Sequence, residues 1–308
     1  MTTDSSALVL DGPWRHQLVP ANGARFHVAV SGPDDRDAPV VVLLHGLLQF
    51  WWAWRHQLPV LGAAGYRVVA MDLRGAGSSD KPPQGYDVPT LTRDVAGVVR
   101  SLGAESAVVV GHGLGGDVAW SMPAYHPSLT DAVATFGAPH PLHTRAEPRA
   151  TLTRAAARRL AYFQLPYLPE RSLTRTDLVP RVMREWGADG WLDDHTAETY
   201  RRAARVPFAA HCSMEQARWV VRSGPRLDGR RYLAALRAAP AVPVLQVHGE
   251  LDGCRPVRTA QAVGHVAASL GGGYQFERAA GVGHYVPEEA PEQVNELLLA
   301  WLAEVAPV

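Results

Sequence analysis

Four short, almost unbroken apolar runs punctuate the chain: Val40 to Leu44, Tyr66 to Met71, Ala107 to Val110 and Val242 to Val247. Each is rich in valine and closes on a turn with a glycine or polar residue. A strand buried on both faces reads this way, because it has no solvent side on which to alternate. Helix-like stretches lie between the runs, around 51–64, 90–102 and 115–126. A last helix is predicted at 288–304, with Pro287 near its start and Val294, Leu297, Leu298, Trp301 and Leu302 on one face. Strand–helix alternation of this kind predicts an α/β fold, with a mostly parallel central sheet and helices on both faces.

The pattern changes at His143. From there to Ala238 no strand-like run occurs, and Pro166, Pro169, Pro180 and Pro207 break an Arg- and Ala-rich helical stretch. This stretch carries 18 arginines against 10 acidic residues. A helical block inserted between the strands of such a sheet is most simply a lid over its carboxyl edge, where these sheets bind ligands. The predicted organisation is a core of residues 1–139 and 239–308 and a lid of 140–238.

Composition narrows the classes. The chain has 308 residues, 47% of them apolar, enough to bury a large core and to exclude wholesale disorder. Basic and acidic residues number 30 each, so a general binder of nucleic acid or anionic membrane is disfavoured. Cys212 and Cys254 lie in no metal-ligand or disulfide spacing, and neither a metal nor a cofactor is expected. The first residues lack a secretory pattern, and the longest apolar run, Val40 to Leu48, is too short to span a bilayer. The expectation is a cytoplasmic protein that acts on or binds a small molecule.

In α/β sheets the chemistry gathers in the turns after the strands. Here those turns read His45-Gly46-Leu47-Leu48, Asp72-Leu73-Arg74-Gly75-Ala76-Gly77-Ser78, Gly111-His112-Gly113-Leu114-Gly115-Gly116, His248-Gly249-Glu250-Leu251-Asp252, and Gly281-Val282-Gly283-His284. Five such turns in this order, with the segments His45 to Gln57, Asp72 to Pro82 and Ala138 to Pro141, resemble the α/β-hydrolase fold over essentially the whole chain. More narrowly they resemble its epoxide-hydrolase-like branch.

The resemblance implies roles. The third turn would be the nucleophile elbow, where Gly111, Gly115 and Gly116 let backbones pass closely. The nucleophile position would be residue 113, which is glycine rather than the Asp of an epoxide hydrolase or the Ser of an esterase. Gly113 has no atom with which to form a covalent intermediate. Asp252 would be the acid that orients His284, and the backbone N–H groups of Leu47 and Leu114 would form the oxyanion hole. Trp51, Tyr162 and Tyr167 are the expected substrate-contacting residues; those enzymes protonate the opening epoxide with two lid tyrosines, for which Tyr162, Tyr167 and Tyr200 are the candidates. Phe50, Trp51, Trp52 and Trp54, with the lid aromatics, imply an apolar pocket of ordinary ligand size. Two departures stand out: Leu48 replaces a proline of the family pattern, and Leu114 an often-found tryptophan.

Other candidates read as structural. Asp117 reads as a first-turn acid favoured by the helix dipole, and His112 and His45 as packing or hydrogen-bonding groups. Ser78 and Ser79 lie on the wrong turn to be nucleophiles. Losing a triad nucleophile costs on the order of 10⁶ in turnover, so ordinary covalent hydrolysis is not expected. What remains is a His284–Asp252 base acting without a nucleophile, or, alternatively, a ligand-binding or sensing protein on a hydrolase fold.

Overall fold

In a computed structural model describing residues 3–148, 150–269 and 273–308, one eight-stranded sheet runs through the protein. Its strands are β1 (Arg15–Ala21), β2 (Ala24–Ser31), β3 (Val40–Leu44), β4 (Arg67–Met71), β5 (Ala107–His112), β6 (Thr130–Phe136), β7 (Val244–Gly249) and β8 (Tyr274–Ala279). They lie in the order β1-β2-β4-β3-β5-β6-β7-β8. β1 and β2 pair antiparallel with each other, and β2 with β4, while every pairing from β4 to β8 is parallel. The mostly parallel α/β architecture expected from the alternation is what the structure shows.

Helices cover both faces. α1 (Gln57–Ala63), α2 (Val88–Ser101) and α3 (Leu114–Tyr125) follow successive strands, and α11 (Val257–Ser269), α12 (Val286–Glu289) and α13 (Pro291–Val305) close the chain. Between β6 and β7 lie α4 (Pro141–Ala146), α5 (Arg154–Phe163), α6 (Leu168–Arg175), α7 (Leu178–Trp186), α8 (Asp194–Ala204), α9 (Ala209–Arg222) and α10 (Leu227–Arg237).

The pleat explains the valine-rich runs. Val41 and Leu43 of β3 pack in one layer with Val68, Val108 and Val110, against Leu58 and Leu61 of α1 and Leu298 and Trp301 of α13. Val40, Val42 and Leu44 face the other way, into a layer with Val109, Leu91 and Val95 of α2 and Val118 of α3. Each fully buried side chain of this kind contributes roughly 1.5–3 kcal/mol. α2 starts where Asp87 accepts the Thr90 N–H at 2.8 Å, with Pro89 in its first turn.

Four strands escape the hydrophobic pattern, each for a reason. β1 and β8 are sheet edges, partly solvated, with Leu18 largely exposed. β2 is buried but carries His27 and Ser31, both hydrogen-bonded. β6 is built of Thr, Ala and a single Val and Phe. The expected helix at 51–64 divides into a 3₁₀ turn, Trp51–Trp54, and α1, while the predicted 288–304 helix begins at Pro291 after the separate turn of α12.

Strand order reverses at β3, which has β4 on one side and β5 on the other, so a crevice opens beyond the carboxyl ends of β3 and β5. α3 approaches this point closely: a Cβ on Gly115 would lie 2.2 Å from the Leu44 carbonyl oxygen. Because that obstacle is backbone, Gly115→Ala is expected to cost about 3 kcal/mol or more. A urea-unfolding midpoint equal to that of the parent would contradict this packing.

Candidate active site

Four turns meet at the carboxyl edge. The turn after β3 supplies Gly46 and Leu47, that after β5 supplies Gly113, that after β7 supplies Asp252, and that after β8 supplies His284. Gly113 stands at the strand-to-helix bend with φ 51° and ψ −114°, a conformation that favours glycine. Its N–H donates to the Phe136 carbonyl at 3.0 Å, and its carbonyl accepts from the Asp117 N–H at 3.1 Å. A Cβ added here would lie 3.5 Å from His284 Nε2 and 3.7 Å from Gly46 Cα, both ordinary contacts.

His284 Nδ1 lies 2.9 Å from Asp252 Oδ2. With its Nδ1–H donated there, the ring keeps an accepting lone pair on Nε2, the atom that faces residue 113. Asp252 is fully buried, and its Oδ1 accepts the Cys254 and Arg255 N–H groups at 2.7 and 2.8 Å. His248 Nε2 stands 3.2 Å from its other oxygen. Burial alone would raise this carboxyl, but His284, His248 and the hydrogen bonds outweigh it and hold Asp252 well below the usual range.

The helical block grips both loops. The Trp186 carbonyl, at the end of α7, accepts the Gly253 N–H at 2.9 Å and the His284 N–H at 3.0 Å. The Trp186 ring stands edge-on to the His284 ring at 5.6 Å. Among the described residues, neither the Leu47 nor the Leu114 N–H donates to another protein group. No group of three or more His, Cys, Asp or Glu among them is placed to hold a metal ion, and no helix is long and apolar enough to cross a membrane.

Comparison with known proteins places this geometry. The model of the alpha/beta hydrolase fold family matches residues 39–291. The chain belongs to that family, on its epoxide-hydrolase-like branch. Epoxide hydrolase A of Mycobacterium tuberculosis is 29% identical over 93% of this chain and 96% of its own length. Epoxide hydrolase 4 of Mus musculus is 36% identical over 92% of this chain and 77% of its own. The AB hydrolase superfamily protein YfhM of Bacillus subtilis is 39% identical, but over only 52% of this chain and 57% of its own length. Among solved structures, an epoxide hydrolase from an endophytic Streptomyces superposes with a TM-score of 0.77 at 26% identity, covering 95% of this chain and 96% of the other.

In this α/β hydrolase a mostly apolar cavity of about 70 Å³ lies over the turns, lined by Leu47, Gly113, Leu114, Asp117, Trp186 and His284, with His112, Cys254, Arg255 and Tyr285 among its other walls. The structure thus brings together His284, Gly113, Leu47 and Leu114, with Asp252 behind His284. It corrects three other expectations, since Trp51, Tyr162 and Tyr167 do not line this cavity. Trp51 is fully buried in the core, where its indole N–H donates to the Leu8 carbonyl and its ring meets Trp14 and Phe50. The Tyr162 hydroxyl is engaged by the Leu168 carbonyl and Ser172, and Tyr167 is 85% exposed. The pocket of ordinary ligand size is corrected as well, because Phe50, Trp51 and Trp54 fill the core instead of walling a void.

Sequence reasoning took Asp117, one helical turn past Gly113, as structural, yet it lines the cavity; Trp186 was legible only as one of the lid aromatics expected to divide between lid core and pocket wall, and it lines the cavity as well. Cys254 lines the cavity too, but burial and the Asp252 charge push its thiol up, so it offers no thiolate. His112 lies with Nδ1 2.7 Å from Gln49 Oε1 and Nε2 2.9 Å from the His284 carbonyl, a supporting position behind His284. Ser79 donates to the Asp72 carbonyl and Ser78 to Ser5, both away from the cavity.

Two outcomes are expected. A side chain at 113 meets no clash, so Gly113→Ser is charged only with backbone strain, about 1–3 kcal/mol. It should lower the melting temperature by about 2–6 °C, and an unchanged or higher value would contradict the strained bend. Burial pushes His112 down to about 3 and His140 down to about 4, from the ordinary 6.5. Between those values the unfolded chain binds protons that the folded chain refuses, so stability falls as pH drops from 6.5 toward 4. Melting followed by circular dichroism across that window checks this, and a flat profile would contradict it.

Proposed function

We propose that this α/β hydrolase adds water directly to a small epoxide, with His284 as general base, Asp252 as its orienting acid, and residue 113 as the degenerate nucleophile position. The observation carrying this reading is the 3.5 Å approach of His284 Nε2 to the point where a Cβ on Gly113 would stand. The base is aimed at a position that holds no nucleophile, and a water molecule beside it is the available substitute. The free N–H groups of Leu47 and Leu114 would steady negative charge developing on a substrate oxygen. The helical block α4–α10 would serve as the lid, since Trp186, Leu160 and Ala217 supply one wall of the cavity. The relatives' names favour an epoxide, and the small, mostly apolar cavity favours a compact hydrocarbon substrate.

A second reading, a ligand-binding or sensing protein without turnover, is favoured by the cavity's small volume. One experiment separates the two. In a single turnover of propylene oxide in water labelled with heavy oxygen, direct attack puts the label into all of the first product. His284→Ala should lower that turnover by about 10²-fold or more. A first diol carrying no label would reveal a covalent enzyme intermediate that donates its own oxygen, and binding without any diol would favour the sensing protein.

A further inference from the structure

Opening an epoxide needs an acid as well as a base, because the departing oxygen must be protonated. Neither Tyr162 nor Tyr167 reaches the cavity. Asp117 does: it lies in the first turn of α3, four residues past Gly113, and its side chain lines the same cavity as His284. Four helical residues rise roughly 6 Å, the scale of one small substrate.

Beyond its place in the first turn of α3, where the helix dipole favours an acid, the Asp117 carboxyl has no structural partner on view. Among the described residues it makes no hydrogen bond and no ion pair, and it caps no helix, since α3 has no side-chain cap. Asp252, by contrast, is saturated with partners. Trp186, which also lines the cavity, carries an indole N–H that is buried without a partner. Asp117 is half-buried and the Trp186 indole N–H fully buried, and neither meets a hydrogen-bond partner among the described residues, which leaves both open to a ligand.

We propose that Asp117 is the acid partner of His284, so that the cavity is a two-group acid–base site for the hydration of an epoxide. This rests on the water-attack reading above. Water loses a proton to His284 Nε2 as its oxygen bonds to an epoxide carbon. The carbon–oxygen bond breaks, its electron pair stays on oxygen, and that oxygen takes the Asp117 proton. The product is a vicinal diol, and solvent returns the proton from His284 to Asp117.

The environments of the two carboxyls support the division. Arg255 beside the cavity and Arg145 of α4 pull the Asp117 carboxyl down, but burial outweighs them and pushes it up. Tyr232 of α10 and Cys254 also face it, both uncharged because their own acid groups are pushed up. One carboxyl held ionised and one favoured as the acid is the arrangement that splits acid and base roles.

The test uses the full chain with propylene oxide and styrene oxide. Asp117→Asn should lower kcat by about 10²–10⁴-fold while KM moves by less than about threefold, and should remove the alkaline limb of the kcat profile. Asp117→Glu should recover part of the loss. The loss should be smaller on para-nitrophenyl acetate, whose phenolate departs without a proton. An unchanged melting temperature establishes that the variants are folded. If Asp117→Asn stays within about threefold of the parent in kcat, or changes KM alone, the acid assignment falls while the water-attack reading stands. If the parent protein converts no epoxide, both fall together.

Discussion

The Asp252 carboxylate is the charge around which the carboxyl edge of this α/β hydrolase is organised. A buried carboxylate costs several kcal/mol in desolvation unless it is paired and hydrogen-bonded. Here two imidazoles and two backbone N–H groups meet that demand. His248 belongs to β7, and the other partners come from the loops after β7 and β8. Satisfying one charge therefore fixes the loop after β7 to the loop after β8 and sets the rotation of the His284 ring. The Trp186 carbonyl then draws both loops against the helical block.

A second buried carboxylate ties the same block to the core from another side. Glu288 of α12 accepts from the Tyr200 hydroxyl of α8 at 2.8 Å, from Gln49 Nε2 at 2.6 Å and from Arg55 at 2.5 Å. Gln49 in turn accepts the Gly46 N–H at 3.0 Å and meets His112 at 2.7 Å. Burial pushes Glu288 up while Arg55 and the hydrogen bonds pull it down, so the network works only when complete. Hydrogen bonds thus cross from α7 to the loops after β7 and β8, and from α8 to α12, tying the helical block to the core.

A glycine at the bend after β5 changes the chemistry open to such a site. The backbone there keeps a conformation that side chains resist, and the base still points to it. On the proposed reading the fold retains the orientation of its catalytic machinery and replaces an enzyme-bound intermediate with water.

The sequence by itself determined the class of fold and the address of the site. Val40–Leu44 and Ala107–Val110 could only be interior parallel strands, and the glycine-rich turns behind them could only lie at the sheet's carboxyl edge. Those features are local, because side-chain pattern and backbone freedom act within a few residues. Strands β1, β2, β6 and β8 were invisible because edge exposure or small and polar residues erase the hydrophobic signal. The cavity itself was decided by tertiary structure. Trp51 and Trp54 are as apolar as any pocket wall, yet long-range packing claims them for the core. Asp117 has the sequence signature of an ordinary first-turn acid, and only the absence of a carboxyl partner among the described residues, with His284 lining the same cavity from 167 residues away, sets it apart.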